Sequence, residues 1–92
     1  MYTKQTIVVN KSGLHARPAN EFVQKAKVFQ SKIMIRHLGF SDAEPVNAKS
    51  IVRLLSAGFG QGTPVEIMAD GCDEEQAANE LAMLIESGFG EE

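Results

Sequence analysis

An α+β domain of two layers, a single sheet with helices on one face, is what this 92-residue chain predicts. Three observations carry that reading. The hydrophobic pattern switches between the alternation of strands and the i, i+3, i+4, i+7 spacing of helices, giving the order β-α-β-β-α-β-α. Hydrophobic residues make up 43% of the chain and charged ones 23%, which suits one core and one domain over residues 1–92. Strands separated by helices cannot be hairpin partners without the chain crossing over, and one sheet covered by helices accommodates all the elements. Periodicity alone leaves the strand order open.

The first strand is read at Thr6-Ile7-Val8-Val9, β-branched and bounded by Asn10-Lys11-Ser12-Gly13. A helix follows from about Ala16 to Val28: Ala19, Phe22, Val23, Ala26 and Phe29 or Gln30 share one face, and Glu21, Lys25 and Lys27 lie on the other. Pro18 falls in its first turn, where a missing N–H has no intrahelical partner to lose. Ser31 to Arg36 gives a second strand around Ile33, Met34 and Ile35. His37 to Val46, with Gly39, Ser41, Asp42 and Pro45, predicts a hairpin loop and a short third strand that Pro45 confines to an edge. Ile51, Val52, Leu54 and Leu55 then form a short apolar helix stopped by Gly58. Thr63 to Ala69 is a fourth strand, with Val65 and Ile67 alternating against Glu66 and Met68. Asp73 followed by Gln76 resembles a capping box for a last helix whose buried stripe is Ala77, Ala78, Leu81, Leu84 and Ile85. Ser56-Ala57-Gly58-Phe59-Gly60 and Glu86-Ser87-Gly88-Phe89-Gly90 repeat one helix ending, with Phe59 set to touch Leu54 and Phe89 to touch Leu84.

Charge narrows the function classes. Residues 1–53 hold all nine Lys and Arg against three acids (Glu21, Asp42, Glu44), a formal +6; residues 54–92 hold nine acids and no base, a formal −9. The bases are spread through strands and helices with few aromatics among them, so they form no nucleic-acid stripe. A small phosphate or an acidic protein face ranks well above nucleic acid. No run approaches a membrane helix and Met-Tyr-Thr-Lys-Gln leads into no signal-peptide core, so a cytoplasmic protein is expected. Cys72 is the sole cysteine, which excludes an internal disulfide and a four-cysteine metal site.

GLHARPAN, Gly13 to Asn20, is the candidate site. A helix start exposes unpaired N–H groups at the positive end of the macrodipole, and an imidazole there can meet a phosphate. Histidine nitrogen can attack a phosphoryl group, and a protonated imidazole leaves readily, so phosphohistidine can be made and handed on. Arg17 would hold the equatorial phosphoryl oxygens, with Ala16 and Pro18 supporting the helix start. An isolated histidine is more often an ordinary exposed residue. The full Gly-x-His-x-Arg-Pro string reverses that preference.

On these residues the chain resembles the HPr family, the histidine-containing phosphocarriers of the bacterial phosphoenolpyruvate-dependent sugar phosphotransferase system. GLHARPAN matches the family's active-site signature, VNAKSI from Val46 to Ile51 resembles its second, serine-containing one, and the likeness covers nearly the whole chain. The resemblance implies an open-faced β-sandwich, a four-stranded antiparallel sheet with three helices on one face. It also implies that His15 receives phosphate on Nδ1 from phospho-enzyme I and passes it to the A component of a sugar permease, that Arg17 steadies the phosphoryl group, and that the protein acts as a monomer. The carrier is not an enzyme able to turn over alone, and needs no cofactor or metal.

Ser50 has an ordinary reading as the cap of the short helix. The resemblance adds regulatory phosphorylation by an ATP-dependent serine kinase that also removes the phosphate. A dianion is tolerable at a helix N-terminus, so the effect would fall on partners. Four apolar residues in the five from Ile51 to Leu55 exceed one buried stripe, so Ile51, Val52 and Leu55, rimmed by Lys49 and Arg53, are expected to form a partner-docking face. The rival reading is a regulatory binding module acting through Ser50 on a transcription regulator or metabolic enzyme; a third is a carrier in a nitrogen-related relay. The remaining candidates are weaker: Gly58 to Gly62 reads as a turn, His37 as solvated, Cys72 as an inert thiol, and Glu74, Glu75 and Glu80 as a solvated face. The segment His37 to Glu44, which contains Phe40, is longer than the turn common in the family and bears on how a kinase would approach Ser50.

Overall fold

Alternation along the fourth strand sets the centre of the sheet. In the computed structural model, which describes residues 1–39 and 43–90, β4 (Pro64–Asp70) lies between β1 (Tyr2–Ile7) and β2 (Lys32–His37), and β3 (Val46–Asn47) is the edge next to β2. All pairings are antiparallel, in the order β1-β4-β2-β3. Ile33 faces Ala69 and Ile35 faces Ile67, and all four are fully buried beneath the helices. The intervening pairs, Met34 with Met68 and Arg36 with Glu66, lie on the open face, where Arg36 Nη2 donates to Glu66 Oε1 at 2.8 Å. Pro45 precedes the two-residue edge strand, as its missing N–H requires. Phe40, Ser41 and Asp42, within the loop singled out for its length, lie outside the described residues.

Helices α1 (Ala16–Val28), α2 (Ile51–Ala57) and α3 (Glu74–Glu86) cover the other face, and a 3-10 turn at Gly88–Gly90 follows α3. Phe22, Val23 and Ala26 of α1 and Ala77, Ala78, Leu81 and Ile85 of α3 supply the buried stripes, each fully buried large side chain contributing about 1.5–3 kcal/mol. At the end of α1 the buried residue is Phe29, and Gln30 is exposed. Glu80 departs from the solvated role expected of it: it meets Lys25 Nζ at 2.8 Å and ties α3 to α1.

Strand β1 runs earlier than its β-branched segment. Tyr2 to Gln5 are mostly polar, yet β4 supplies a full ladder, and an edge strand with one wet face tolerates them. Tyr2 Oη donates to Asn79 Oδ1 at 3.3 Å and Thr6 Oγ1 to Glu86 Oε2 at 2.9 Å, both reaching α3. Beyond the strand Val8 still exchanges backbone bonds with the turn before β4: its N–H donates to Thr63 O at 2.9 Å and its carbonyl accepts from Gly62 N at 2.7 Å.

The expected capping box at Asp73 does not form. Its carboxylate turns from α3 to the junction of α1 and β2, accepting from Gln30 N at 2.9 Å, Ser31 N at 3.0 Å and Ser31 Oγ at 2.5 Å. That junction leaves amides with no ladder or helix partner, and satisfying them outweighs capping. These bonds, the Ser31 hydroxyl foremost, hold the Asp73 carboxyl below its ordinary 3.8. Gln76 binds Glu80 Oε2 at 2.7 Å. The two GFG endings differ in detail: Gly58 directly follows α2 in the left-handed conformation at φ 70°, whereas Ser87 intervenes before Gly88 at φ 73°. Phe59 and Phe89 are both buried, as is Leu54, and Leu84 packs against the core from a half-buried position.

Candidate active site

The loop from β1 to α1 is braced from below by the turn that follows α2. Leu14 N donates to Phe59 O at 2.8 Å, Gly13 N to Asn10 O at 3.1 Å, and the buried Asn10 returns Nδ2 to Gly13 O at 2.9 Å. Gly13 sits at φ 66°, where a Cβ would stand 2.5 Å from Phe59 O and 2.7 Å from Gly60 Cα. Both the conformation and the close approach call for glycine. Leu14, fully buried, plugs the loop into the core and leaves His15 outside.

His15 occupies the N-cap of α1 in extended backbone, φ −133° and ψ 159°, and its exposed side chain makes no capping bond. Ala16 begins the helix at φ 52°, a left-handed conformation that costs an L-residue about 1–2 kcal/mol. Pro18 is buried in the first turn, and no acid lies in that turn to occupy the positive end of the dipole. Arg17 is held on both branches of its fork: Nη1 meets Glu21 Oε1 at 2.8 Å, and Nη2 donates to Phe89 O at 3.1 Å. An imidazole, helix-start amides and a tethered guanidinium thus share one end of α1.

Ser50 caps α2, accepting from Arg53 N at 3.3 Å. In α2 only Leu54 is buried; Ile51, Val52 and Leu55 are 36%, 69% and 41% exposed, and Arg53 is exposed beside them. The apolar excess of this helix therefore faces outward. Lys49 is half-buried and sends Nζ to Phe29 O at 2.7 Å, closing the end of α1. Helices α1 and α2 are packed neighbours, so the two signatures belong to adjoining parts of the helical layer.

His37 is half-buried at the end of β2: its Nδ1 accepts from Gly39 N at 2.9 Å and its ring lies 6.2 Å from that of Phe59. Cys72 is an exposed free thiol, 3.5 Å from Gln30 Oε1. Among the described residues no group of three or more His, Cys, Asp or Glu is placed to hold a metal ion, and no helix is long and apolar enough to cross a membrane. Sequence reasoning missed the support given by Asn10, Phe59 and Gly60 and the tethers of Arg17 at Glu21 and Phe89. The spacing of Arg17 and Glu21 was a visible signal; the contacts made through main-chain carbonyls left none.

A two-layer domain with an exposed histidine at the head of a helix is chemically suited to carry a phosphoryl group, and comparison with known proteins places it among small phosphoryl carriers. The family model described as PTS HPr component phosphorylation site matches residues 2–87. The phosphocarrier protein HPr of Borreliella burgdorferi is 46% identical over 87 residues, 95% of this chain and 96% of that one. The HPr-like protein Crh of Halalkalibacterium halodurans is 43% identical over 94% of this chain and 98% of its own length. The crystal structure of HPr-C-His from Thermoanaerobacter tengcongensis superposes with a TM-score of 0.90 at 48% identity, covering 100% of this chain and 99% of that one. The chain belongs to the HPr family of the phosphotransferase system.

Proposed function

We propose that the protein is a cytoplasmic, monomeric phosphoryl carrier of the phosphotransferase system and that His15 is the residue that bears the phosphate. The observation that carries this is the exposed His15 side chain, free of any capping bond at the head of α1 and inside the Gly-x-His-x-Arg-Pro string. The Nδ1 lone pair attacks the phosphorus of phospho-enzyme I; the new N–P bond forms as the bond to the donor breaks, and the donor leaves with that electron pair. Helix-start amides and Arg17 offset the charge on the phosphoryl oxygens. A nucleophile on the A component of a sugar permease then takes the phosphoryl group, returning His15 to its starting state. The protein supplies position and charge, and both partners supply the rest of the chemistry, so it does not turn over alone.

Ser50 is the proposed regulatory phosphorylation site for a serine kinase/phosphorylase. Its hydroxyl caps the helix whose Ile51, Val52 and Leu55 are exposed, and a charge of about −2 there would disrupt an apolar docking surface rimmed by Arg53, the ammonium of Lys49 being turned to Phe29 O. The likeness to an HPr-like protein named Crh favours keeping a second reading, a regulatory binding module that acts on a transcription regulator through Ser50. Purified protein incubated with enzyme I and phosphoenolpyruvate separates the two. An acid-labile mass increase in wild type that is missing from His15→Ala is the carrier result; a folded wild type that takes up none points to the module.

A further inference from the structure

Arg17 stands at the wrong end of a helix for a cation. In the first turn of α1 its charge opposes the macrodipole, and its ion pair with Glu21 has the less favourable i, i+4 order, base before acid. The pair is nonetheless formed, at 2.8 Å, with side chains 58% and 40% exposed. Glu21 is the only acid in α1, and Arg17 is its cation: Lys25, one turn further on, has its ammonium on Glu80 at 2.8 Å. The second branch of the guanidinium is engaged by Phe89 O at 3.1 Å. A phosphoryl dianion at the head of α1 therefore meets a guanidinium whose charge is already partly offset by Glu21 and whose position is shared with the Phe89 carbonyl.

We propose that Glu21 is a positioning residue that competes with the phosphoryl group for Arg17 and so limits how far the protein is phosphorylated at equilibrium; this rests on the carrier reading of His15. In the free protein the carboxylate holds the guanidinium ready at the edge of the site. In the phosphorylated protein it draws the same charge away, keeping the phosphoryl group less stabilised and easier to pass on. Both side chains are partly solvated, so the competition changes the phosphorylation equilibrium constant by about two- to five-fold, the range for exposed pairs.

The test is the phosphorylated fraction at fixed ratios of phosphoenolpyruvate to pyruvate in the presence of enzyme I, measured for wild type, Glu21→Gln, Glu21→Asp, Arg17→Ala and the double variant Arg17→Ala/Glu21→Gln. The expected result is a two- to five-fold rise in the equilibrium constant for Glu21→Gln, a value nearer wild type for Glu21→Asp, and no effect of Glu21→Gln once Arg17 is gone. An unchanged constant in Glu21→Gln overturns the proposal. So does a shift of the same size in the Arg17→Ala background, which would mean that Glu21 repels the phosphoryl group directly. A wild type that accepts no phosphoryl group overturns the carrier reading itself, an outcome distinct from a working carrier indifferent to Glu21.

Discussion

The carbonyl oxygen of Phe59 occupies the space that a side chain at residue 13 would need: it accepts from Leu14 N at 2.8 Å and would lie 2.5 Å from a Cβ on Gly13. The helix-ending turn of α2 and the loop that presents His15 are thereby one mechanical unit. Gly13→Ala combines a backbone clash with a left-handed φ and is expected to destabilise the fold by about 2 kcal/mol or more. Denaturant unfolding checks the loss, and displaced amide signals at Leu14 and His15 check its location.

Ala16 carries strain in its own backbone, at a φ of 52°. Ala16→Gly removes the left-handed cost but loosens the unfolded chain, a net gain of about 0.5 kcal/mol; Ala16→Val, with its branched Cβ, loses about 1–2 kcal/mol. Thermal or urea denaturation of the two variants gives the order Gly, wild type, Val. Equal stability of the three would remove the strain from the description of the helix start.

Asp73 makes the fold sensitive to acid. Bonds from Ser31 and Gln30 favour its charged form, and Glu74 and Glu80 are likewise held below their ordinary 4.5, by Gly71 N and by Lys25 respectively. A carboxyl with a depressed folded value contributes its full stability above the unfolded value and loses it as pH falls through the folded one. The stability these three carboxylates contribute should therefore be complete above about pH 4.5 and be lost progressively below it. In Asp73→Asn part of that acid limb should disappear, read from urea midpoints across the pH series.

Much of this was legible in the sequence because the responsible forces are local. Alternation at Val65 and Ile67, the apolar stripe from Ala19 to Ala26, and Gly58 at a left-handed helix end each follow from neighbours along the chain. The GLHARPAN string likewise marked the candidate site at the head of α1. What was not legible depends on groups distant in sequence. Asp73 abandoned its own helix for amides 42 and 43 residues away, and polar Tyr2 to Gln5 became a strand because β4 offered a ladder. Arg17 reaches the carbonyl of Phe89, 72 residues on, and no side-chain pattern encodes a main-chain acceptor.

Exposure divides α2 into a buried residue, Leu54, and exposed apolar ones, and, if the proposed docking role holds, mutation should divide it the same way. Leu54→Ala is expected to cost about 2–5 kcal/mol, since the side chain is fully buried. Val52→Asp, at 69% exposure, should shift stability by no more than about 0.5 kcal/mol. It should still weaken enzyme I binding at least about ten-fold, as a charge placed in an apolar contact does. Titration calorimetry beside thermal denaturation tests the split. Unimpaired binding by Val52→Asp would move the docking surface elsewhere.

Phosphorus NMR of the protein after incubation with enzyme I and phosphoenolpyruvate, with the histidine ring nitrogens labelled with ¹⁵N, tests the central claim most directly. The account predicts one phosphoryl signal coupled to Nδ1 of His15 and lost in His15→Ala. A folded protein that acquires no such signal, or acquires it on His37, would contradict it.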